Sequence, residues 1–196
     1  MSHTQNTKTS RSSDCLRGHF LLAMPNLSEG IFSHSITYIC EHGESGAMGI
    51  IINQPLELSV AEVFDHLQIT SADDYAQMPV MAGGPVQVDH GFVLHRDCDT
   101  LWEANLKVTA EITLTTSRDI LRAIADGDGP QDHLIALGYA GWSAGQLEQE
   151  LAANSWLSLP AHGDIIFSTP YEQRLGAAAA LLGIDMNLIS GQAGHA

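Results

Sequence analysis

Basic side chains are scarce in this chain. Lysine and arginine total 8 against 23 Asp and Glu, for a formal charge of −15 at pH 7 over 196 residues. A body with that balance repels phosphates at long range, so direct reading of nucleic acid through a basic stripe is not expected. Cysteine is also sparse: Cys15, Cys40 and Cys98 are odd in number and form no Cys-x-x-Cys pair. That argues against a disulfide framework and a zinc ribbon, and it agrees with a reducing compartment. No run approaches the ~18 apolar residues that a membrane span needs. The first segment has neither the apolar block of a secretory signal nor the Arg-rich amphipathic pattern of a transit peptide. The expected location is therefore the cytoplasm, without a membrane partner. A Walker lysine and a Gly-x-Gly-x-x-Gly run are missing too, so neither a nucleotide cradle nor a cofactor is expected.

What is present belongs to a globular protein. Apolar residues make up 44% of the chain and charged residues 16%, a composition that fits a packed core and fits disorder poorly. The length suits about one domain, which buries roughly 70% of its unfolded surface. Residues 1–17, MSHTQNTKTSRSSDCLR, hold no apolar block to offset their ordering entropy and are expected to form a disordered tail. Residues 18–196 are expected to form a single domain, since no segment repeats and no Pro, Gly or Ser linker divides them. That domain alone carries five basic against twenty-two acidic side chains.

Short apolar or β-branched runs bounded by Gly, Pro or Asn read as strands. They are His19–Met24, Ser35–His42, Ala47–Asn53, Pro79–Gly83, Gly91–Arg96, His133–Tyr139 and Asp164–Ser168. In LKVTAEITLTT, Leu106, Val108, Ala110, Ile112 and Leu114 alternate with polar residues, which predicts one strand with a buried and a wet face. Capping boxes at Ser59-x-x-Glu62, Ser143-x-x-Gln146 and Thr169-x-x-Glu172 announce helices. Apolar stripes follow each: Val60, Val63, Phe64 and Leu67; Leu147, Leu151 and Ala152; Leu175, Ala178, Ala179 and Leu182, stopped by Gly183. A fourth helix spans 117–125 through Ile120, Leu121 and Ile124 and stops near Gly127. The fold class is mixed α/β (α+β), without the regular alternation of a doubly wound sheet.

Gly141-Trp142-Ser143-Ala144-Gly145 is the written form of the Gly-x-Ser-x-Gly nucleophile elbow, and it sits between strand and helix as that motif requires. Asp164 or Asp185, then His195, follow in hydrolase order. A glycine-rich chain produces this pattern by chance, however, and His195 is penultimate, where chain ends fray and a base is hard to hold. No His-Gly-Gly oxyanion segment is present. Capping by Ser143 with Gln146 explains both residues without further assumption.

The strings HFLLAMPNL, EHGESGAMGIIINQPL, GGPVQVDHGFVLH, TTSRDIL, LGYAGWSAGQLEQEL with NSWL, and a C-terminal AGHA resemble the bacterial YqgE/AlgH family over about residues 18–196. The resemblance implies a partly barrel-like mixed sheet flanked by about four helices. It also implies the pattern Gly-Tyr-Ala-x-Trp-x-x-Gly-Gln-Leu-Glu, in which the position of Ser143 is not fixed as serine and interest moves to Trp142, Gly145 and Gln146. Ser168 stands where the family often carries Asp, so no essential acid is assigned there. Some members are named transcriptional regulators, and the acidic balance directs any such role through a protein or ligand.

Ten histidines invite a metal reading. His90, His95, Asp97 and Cys98 match no common ligand spacing, so no metal site is expected. Cys40 and His42 share one face of a strand, which makes a Cys/His pair geometrically possible. Asn53-Gln54-Pro55 and Gly83-Gly84-Pro85 end apolar runs with sharp exits that free backbone N–H groups. Trp142, beside glycines at a strand end, serves as core packing, pocket wall or partner anchor. The leading expectation is a non-enzymatic cytosolic binding or regulatory-adaptor protein. Its cleft, lined by His42, Asn53, Gly83, Gly84, Pro85, Tyr139, Trp142, Gly145 and Gln146, would hold a small molecule, peptide or protein, and any effect on transcription would be indirect. The alternatives are a serine hydrolase using Ser143 and a direct DNA-binding regulator.

Overall fold

The runs of β-branched and aromatic residues pair into one sheet, and the helices cover what the sheet leaves apolar. A computed structural model describes residues 15–27, 29–71 and 75–185; residues 1–14 of the expected tail, the last eleven residues and His195 lie outside the described residues. Among the described residues the elements run β1 (His19–Ala23), β2 (Ile36–Gly43), β3 (Gly46–Ile51), β4 (Pro55–Ser59), α1 (Val60–His66), β5 (Pro79–Ala82), β6 (Val86–Arg96), β7 (Asn105–Lys107) and β8 (Ile112–Thr115). They continue with α2 (Arg118–Ala125), β9 (His133–Ser143), α3 (Gln146–Ala152), β10 (Trp156–Pro160), α4 (Gly163–Phe167) and α5 (Tyr171–Leu181). The strand order is β10-β1-β2-β3-β9-β6-β8-β7, with β5 on β9 and β4 on β5. Among the described residues only β5 and β9 pair in parallel. The sheet curls into a half-barrel in a single mixed α/β domain.

Each strand divides its side chains between two faces. Phe20 and Leu22 of β1, Leu94 of β6, Leu134 and Ala136 of β9 and Leu159 of β10 fill the inner face, plugged by Ile165 and Ile166 of α4 and Ala178 and Ala179 of α5. The outer face carries two separate clusters. One gathers Leu21, Ile39, Trp142 and Trp156 under Leu147 of α3. The other gathers Val80, Val93 and Ile135 under Val60 and Phe64 of α1 and Ile120, Leu121 and Ile124 of α2.

Strand β9 serves both outer clusters because its alternation inverts at Gly138, whose φ is +72°. Before Gly138 the even residues Leu134 and Ala136 point inward; after it the odd residue Tyr139 does, and Ala140 and Trp142 turn outward. Beside it the β5–β6 link crosses β9. Gly83 donates to the Leu137 carbonyl at 2.8 Å and accepts from Ile51 at 2.9 Å. A Cβ on Gly84 would lie 2.0 Å from the Tyr139 carbonyl carbon, and one on Gly138 would lie 2.5 Å from the Gly84 oxygen. These glycines let two backbones touch.

Three expectations are corrected. The 106–114 run is a β7–β8 hairpin with Leu106 opposite Leu114, its turn held by the Thr109 hydroxyl, which accepts from the amides of Glu111 and Ile112. Partners an even number of residues apart keep the same parity, so the period of two passes through the turn and disguises it. Its expected wet face is also filled, since Thr113 and Thr115 are buried. Asp164–Ser168 is the single helical turn α4, because a short apolar run carries no decisive period. Finally, Thr169 donates its hydroxyl to the Asp164 carbonyl and closes α4, while Pro170 stands at the N-cap of α5. The Ser59–Glu62 box is complete, and Gly127 and Gly183 end α2 and α5 with φ of +80° and +69°, as left-handed C′ residues do. Strands β4 and β10 and helix α4 add to the expected elements. Among the described residues no helix is long and apolar enough to cross a membrane.

Arg174 of α5 is buried and donates to the carbonyls of Ile52 and Thr169. Desolvation lowers its pKa to about 10, so it stays charged at neutral pH and ties α5 to the end of β3.

Gly84→Ala is expected to cost more than about 3 kcal/mol, because the added methyl meets backbone that cannot move aside. Gly127→Ala, where nothing lies within 4 Å of the added carbon, is expected to cost only about 1 kcal/mol for its positive φ. Urea unfolding of the two variants checks the difference.

Candidate functional site

The expected site residues fall into two groups on opposite faces of the sheet. Trp142, Gly145, Gln146 and His42 lie at the α3 end. Trp142 is 6% and Trp156 3% exposed, and their rings meet edge to face at 5.9 Å, with Phe32 5.6 Å from Trp156. Both indole N–H groups donate to one oxygen of Glu150, at 2.9 and 2.8 Å, and Gln146 Nε2 donates to the other. Trp142 is therefore an anchored core residue, with one edge on a depression of about 340 Å³ shared with Cys15, Arg17, Glu41 and His42. Gly145 supplies the left-handed N-cap of α3.

His42 is committed on both nitrogens. Its Nδ1 accepts from the Leu16 amide at 3.1 Å and is thus unprotonated, so Nε2–H donates to Glu148 at 2.9 Å. Leu16 itself is buried in the aromatic cluster. Cys40 is fully buried, and desolvation drives its thiol pKa upward, so the expected Cys/His pair is two separate structural residues.

Asn53, Gly83, Gly84 and Tyr139 form the second group, around the glycine crossing. Asn53 accepts from the Ile36 amide and donates to the His34 carbonyl, both at 2.9 Å. Tyr139 packs edge to face on Phe92 at 5.7 Å, and Pro85 is exposed. Because Tyr139 and Trp142 point to opposite faces of β9, the two groups do not close on one concavity.

Ser143 ends β9 with an exposed side chain. Its N–H and its hydroxyl both donate to Gln146 Oε1, at 3.0 and 3.1 Å. The glutamine thus reaches back as a capping residue does, but the helix N-cap is Gly145, two residues later, which corrects the expected position. An amide oxygen is no general base, and Ser143 is absent from the positive-φ residues, so the strained turn of a nucleophile elbow is not formed.

A concavity lies elsewhere, a groove of about 1090 Å³ on the outer face between α1 and α2. Its floor is Val93, Ile135, Leu137 and Thr115; α1 contributes Val63 and, at its C-cap, Leu67, and α2 contributes Leu121. Its remaining wall is a bulge. From Val86 to Gly91 the strand β6 spends five steps where β9 spends two, which pushes out Val88, Asp89 and His90. Val88 is 55% exposed. Sequence reasoning missed this groove because its parts come from elements scattered along the chain, α1, β6, β8, α2 and β9; the Gly138 and Gln87 backbone, the latter at φ +49°, marks the bulge only once coordinates exist. The paired histidines His95 and His133 continue the floor on the same face. His95 Nδ1–H donates to the Arg96 carbonyl at 2.7 Å and Nε2 meets Thr115 Oγ1 at 2.9 Å. His133 Nδ1–H donates to the Pro130 carbonyl at 2.8 Å, leaving a buried Nε2 without a partner. Burial lowers both pKa values below 6.5. Asp97 pairs with Lys107 and Thr113, and among the described residues no three His, Cys, Asp or Glu side chains gather as metal ligands do.

A curled sheet plugged on its inner face by two helices and capped outside at both ends defines a recognisable class. The AlgH-like family profile matches residues 20–187. A UPF0301 protein of Saccharophagus degradans is 54% identical over 181 residues, 92% of this chain and 89% of that one. A UPF0301 protein of Thioalkalivibrio sulfidiphilus is 56% identical over 177 residues, 90% and 95% of the two chains. The solution structure of the AlgH protein from Pseudomonas aeruginosa superposes with a TM-score of 0.76 at 45% identity, covering 99% of this chain and all of that one. A Corynebacterium diphtheriae protein, at 16% identity and a TM-score of 0.69 over 97% of this chain and 94% of its own, shares the fold alone. The chain belongs to the AlgH-like family.

Glu150→Ala strands two buried indole donors and is expected to cost about 2–4 kcal/mol in chemical denaturation. Ser143→Ala, at an exposed hydroxyl, is expected to change stability by less than about 0.5 kcal/mol, and a fluorophosphonate probe is expected to leave Ser143 unlabelled by mass spectrometry. Because the native state holds His95 and His133 below 6.5, the unfolded chain binds more protons in the window just under that pH and stability falls there on acidification. A single such histidine contributes at most about 1.4 kcal/mol per pH unit. Unfolding free energies measured from pH 7.5 downward are expected to decline below about pH 6.5, and His133→Leu to flatten that decline.

Proposed function

We propose that the protein is a non-enzymatic binding protein that acts as a regulatory adaptor, and that its partner sits in the groove between α1 and α2. The observation that carries this reading is a concavity of about 1090 Å³, above the roughly 300–1,000 Å³ of small-ligand pockets, with an apolar floor and polar edges. The exposed Val88 supports it further, since together with Val63 and Leu67 it carries the apolar lining out to the groove's rim, and contiguous apolar surface rimmed by polar residues marks binding sites. On the floor, His95 is engaged by a backbone carbonyl and by Thr115. The Thr115 hydroxyl that meets His95 donates its proton to the Asn105 side-chain oxygen instead, which supports a groove that holds its occupant without transforming it. The site expected from the glycine corners is thereby moved to the other outer cluster, while the class of function stays the same.

An uncharged solvatochromic dye such as Nile red tests the seat. Wild-type protein is expected to bind it with a blue-shifted emission, and Val88→Asp or Val63→Asn to weaken binding at least about tenfold. Equal dye affinity in all three proteins, with unchanged unfolding midpoints, would sink the proposal.

A further inference from the structure

We infer that the occupant of the α1–α2 groove is a basic amphipathic helical segment of another protein. This rests on the reading of the groove as a binding seat. The charge at its edge selects the partner. Glu62, Asp65 and Asp89 border the groove against a single permanent cation, Arg118. Glu62 is held ionised by the hydrogen bonds it receives from the Ser59 amide and hydroxyl. Behind that edge stands a chain of net charge −15. A field of one sign over a cleft changes the encounter rate of charged partners by about 10–10³, favouring cations and opposing an aliphatic anion.

The shape selects a helix. Val63 on α1 and Leu67 at its C-cap lie four residues apart, Leu121 faces from α2, and Val88 stands on the bulge. An amphipathic helix presents apolar side chains at i, i+3, i+4 and i+7 on one face and fills such a trough with three or four anchors. Its basic flanks would then meet Asp65 on one wall and Asp89 on the other. A free β-strand would need an open sheet edge, whereas the floor here is the face of three paired strands, β6, β8 and β9.

The test uses the full chain and fluorescence anisotropy at pH 8, where imidazoles are uncharged. The probe is a labelled peptide of about 14 residues with Leu at i, i+3, i+4 and i+7 and Lys elsewhere. Its controls are a scrambled peptide of the same composition and a Glu-for-Lys counterpart. The basic amphipathic peptide is expected to bind at least about tenfold more tightly than either control. Asp65→Lys with Asp89→Lys, and separately Val88→Asp, are expected to weaken it at least about tenfold, whereas Glu111→Lys, on the exposed β7–β8 turn, is expected to change it less than about twofold. Equal binding of the scrambled peptide, or an equal loss in Glu111→Lys, would mean unspecific charge attraction and overturn the inference. Preferential binding of the Glu peptide, displacement of Nile red by dodecanoate but not by the Lys peptide, or Nile red binding with no peptide binding would overturn it while leaving the seat intact. Loss of the Nile red signal would remove both.

Discussion

The molecule depends on a contact between two backbones that no side chain could enter. The link from β5 to β6 passes over β9 at Gly83 and Gly84, against Gly138 and Tyr139. The crossing puts β5 and β6 on the two sides of one strand, and the left-handed Gly138 flips that strand's alternation at the same place. Because of the flip, residues upstream of it supply the floor of the α1–α2 groove, and residues downstream supply Trp142 to the aromatic cluster. A sheet without the flip would send Trp142 to the inner face and leave α3 nothing to cover.

The two outer clusters are finished in different ways. Under α3 the polar ends of two indoles converge on Glu150, which satisfies donors that burial would otherwise orphan. Aromatic area supplies the attraction there, and the carboxylate fixes the orientation. His42 adds a tie from that end to the segment before β1 through Leu16. Among the described residues the α1–α2 end shows no comparable convergence of buried indole donors on one carboxylate. Helices of seven and eight residues cover the sheet only in part, and the uncovered strip is the groove. One outer end of the fold is thus sealed by specific polar contacts, and the other is left open with acids along its edge.

Much of this fold was legible in the sequence, and the failures have physical causes. Strands bounded by glycine and proline, and helices opened by Ser59 or closed by Gly127 and Gly183, are local statements that local geometry honours. The β7–β8 turn was hidden because a hairpin of matched parity preserves alternation. α4 was hidden because Ile165 and Ile166 fit a strand as well as a turn of helix. The site was less legible. His42, Asn53, Gly83, Gly84 and Trp142 stand out as unusual residues in unusual places, but their peculiarity serves chain crossing, loop tethering and core packing. The groove, by contrast, is lined by ordinary valines, leucines and threonines whose only distinction is where the folded chain leaves them.

The pairing of β1 with β10 and of β3 with β9 carries a consequence for how the chain is made. His19 lies opposite Pro160 and Ala47 opposite Trp142, so the strands synthesised first wait for those synthesised late. Such a topology has high contact order and closes slowly. On the ribosome, β1, β2 and β3 emerge as an apolar meander whose outer edges, on β1 and β3, still lack β10 and β9, the state in which strands associate with other chains. The interval between translation of β3 and release of β9 is therefore when these edges lie open to other chains, and the hazard passes once the last strands are in place.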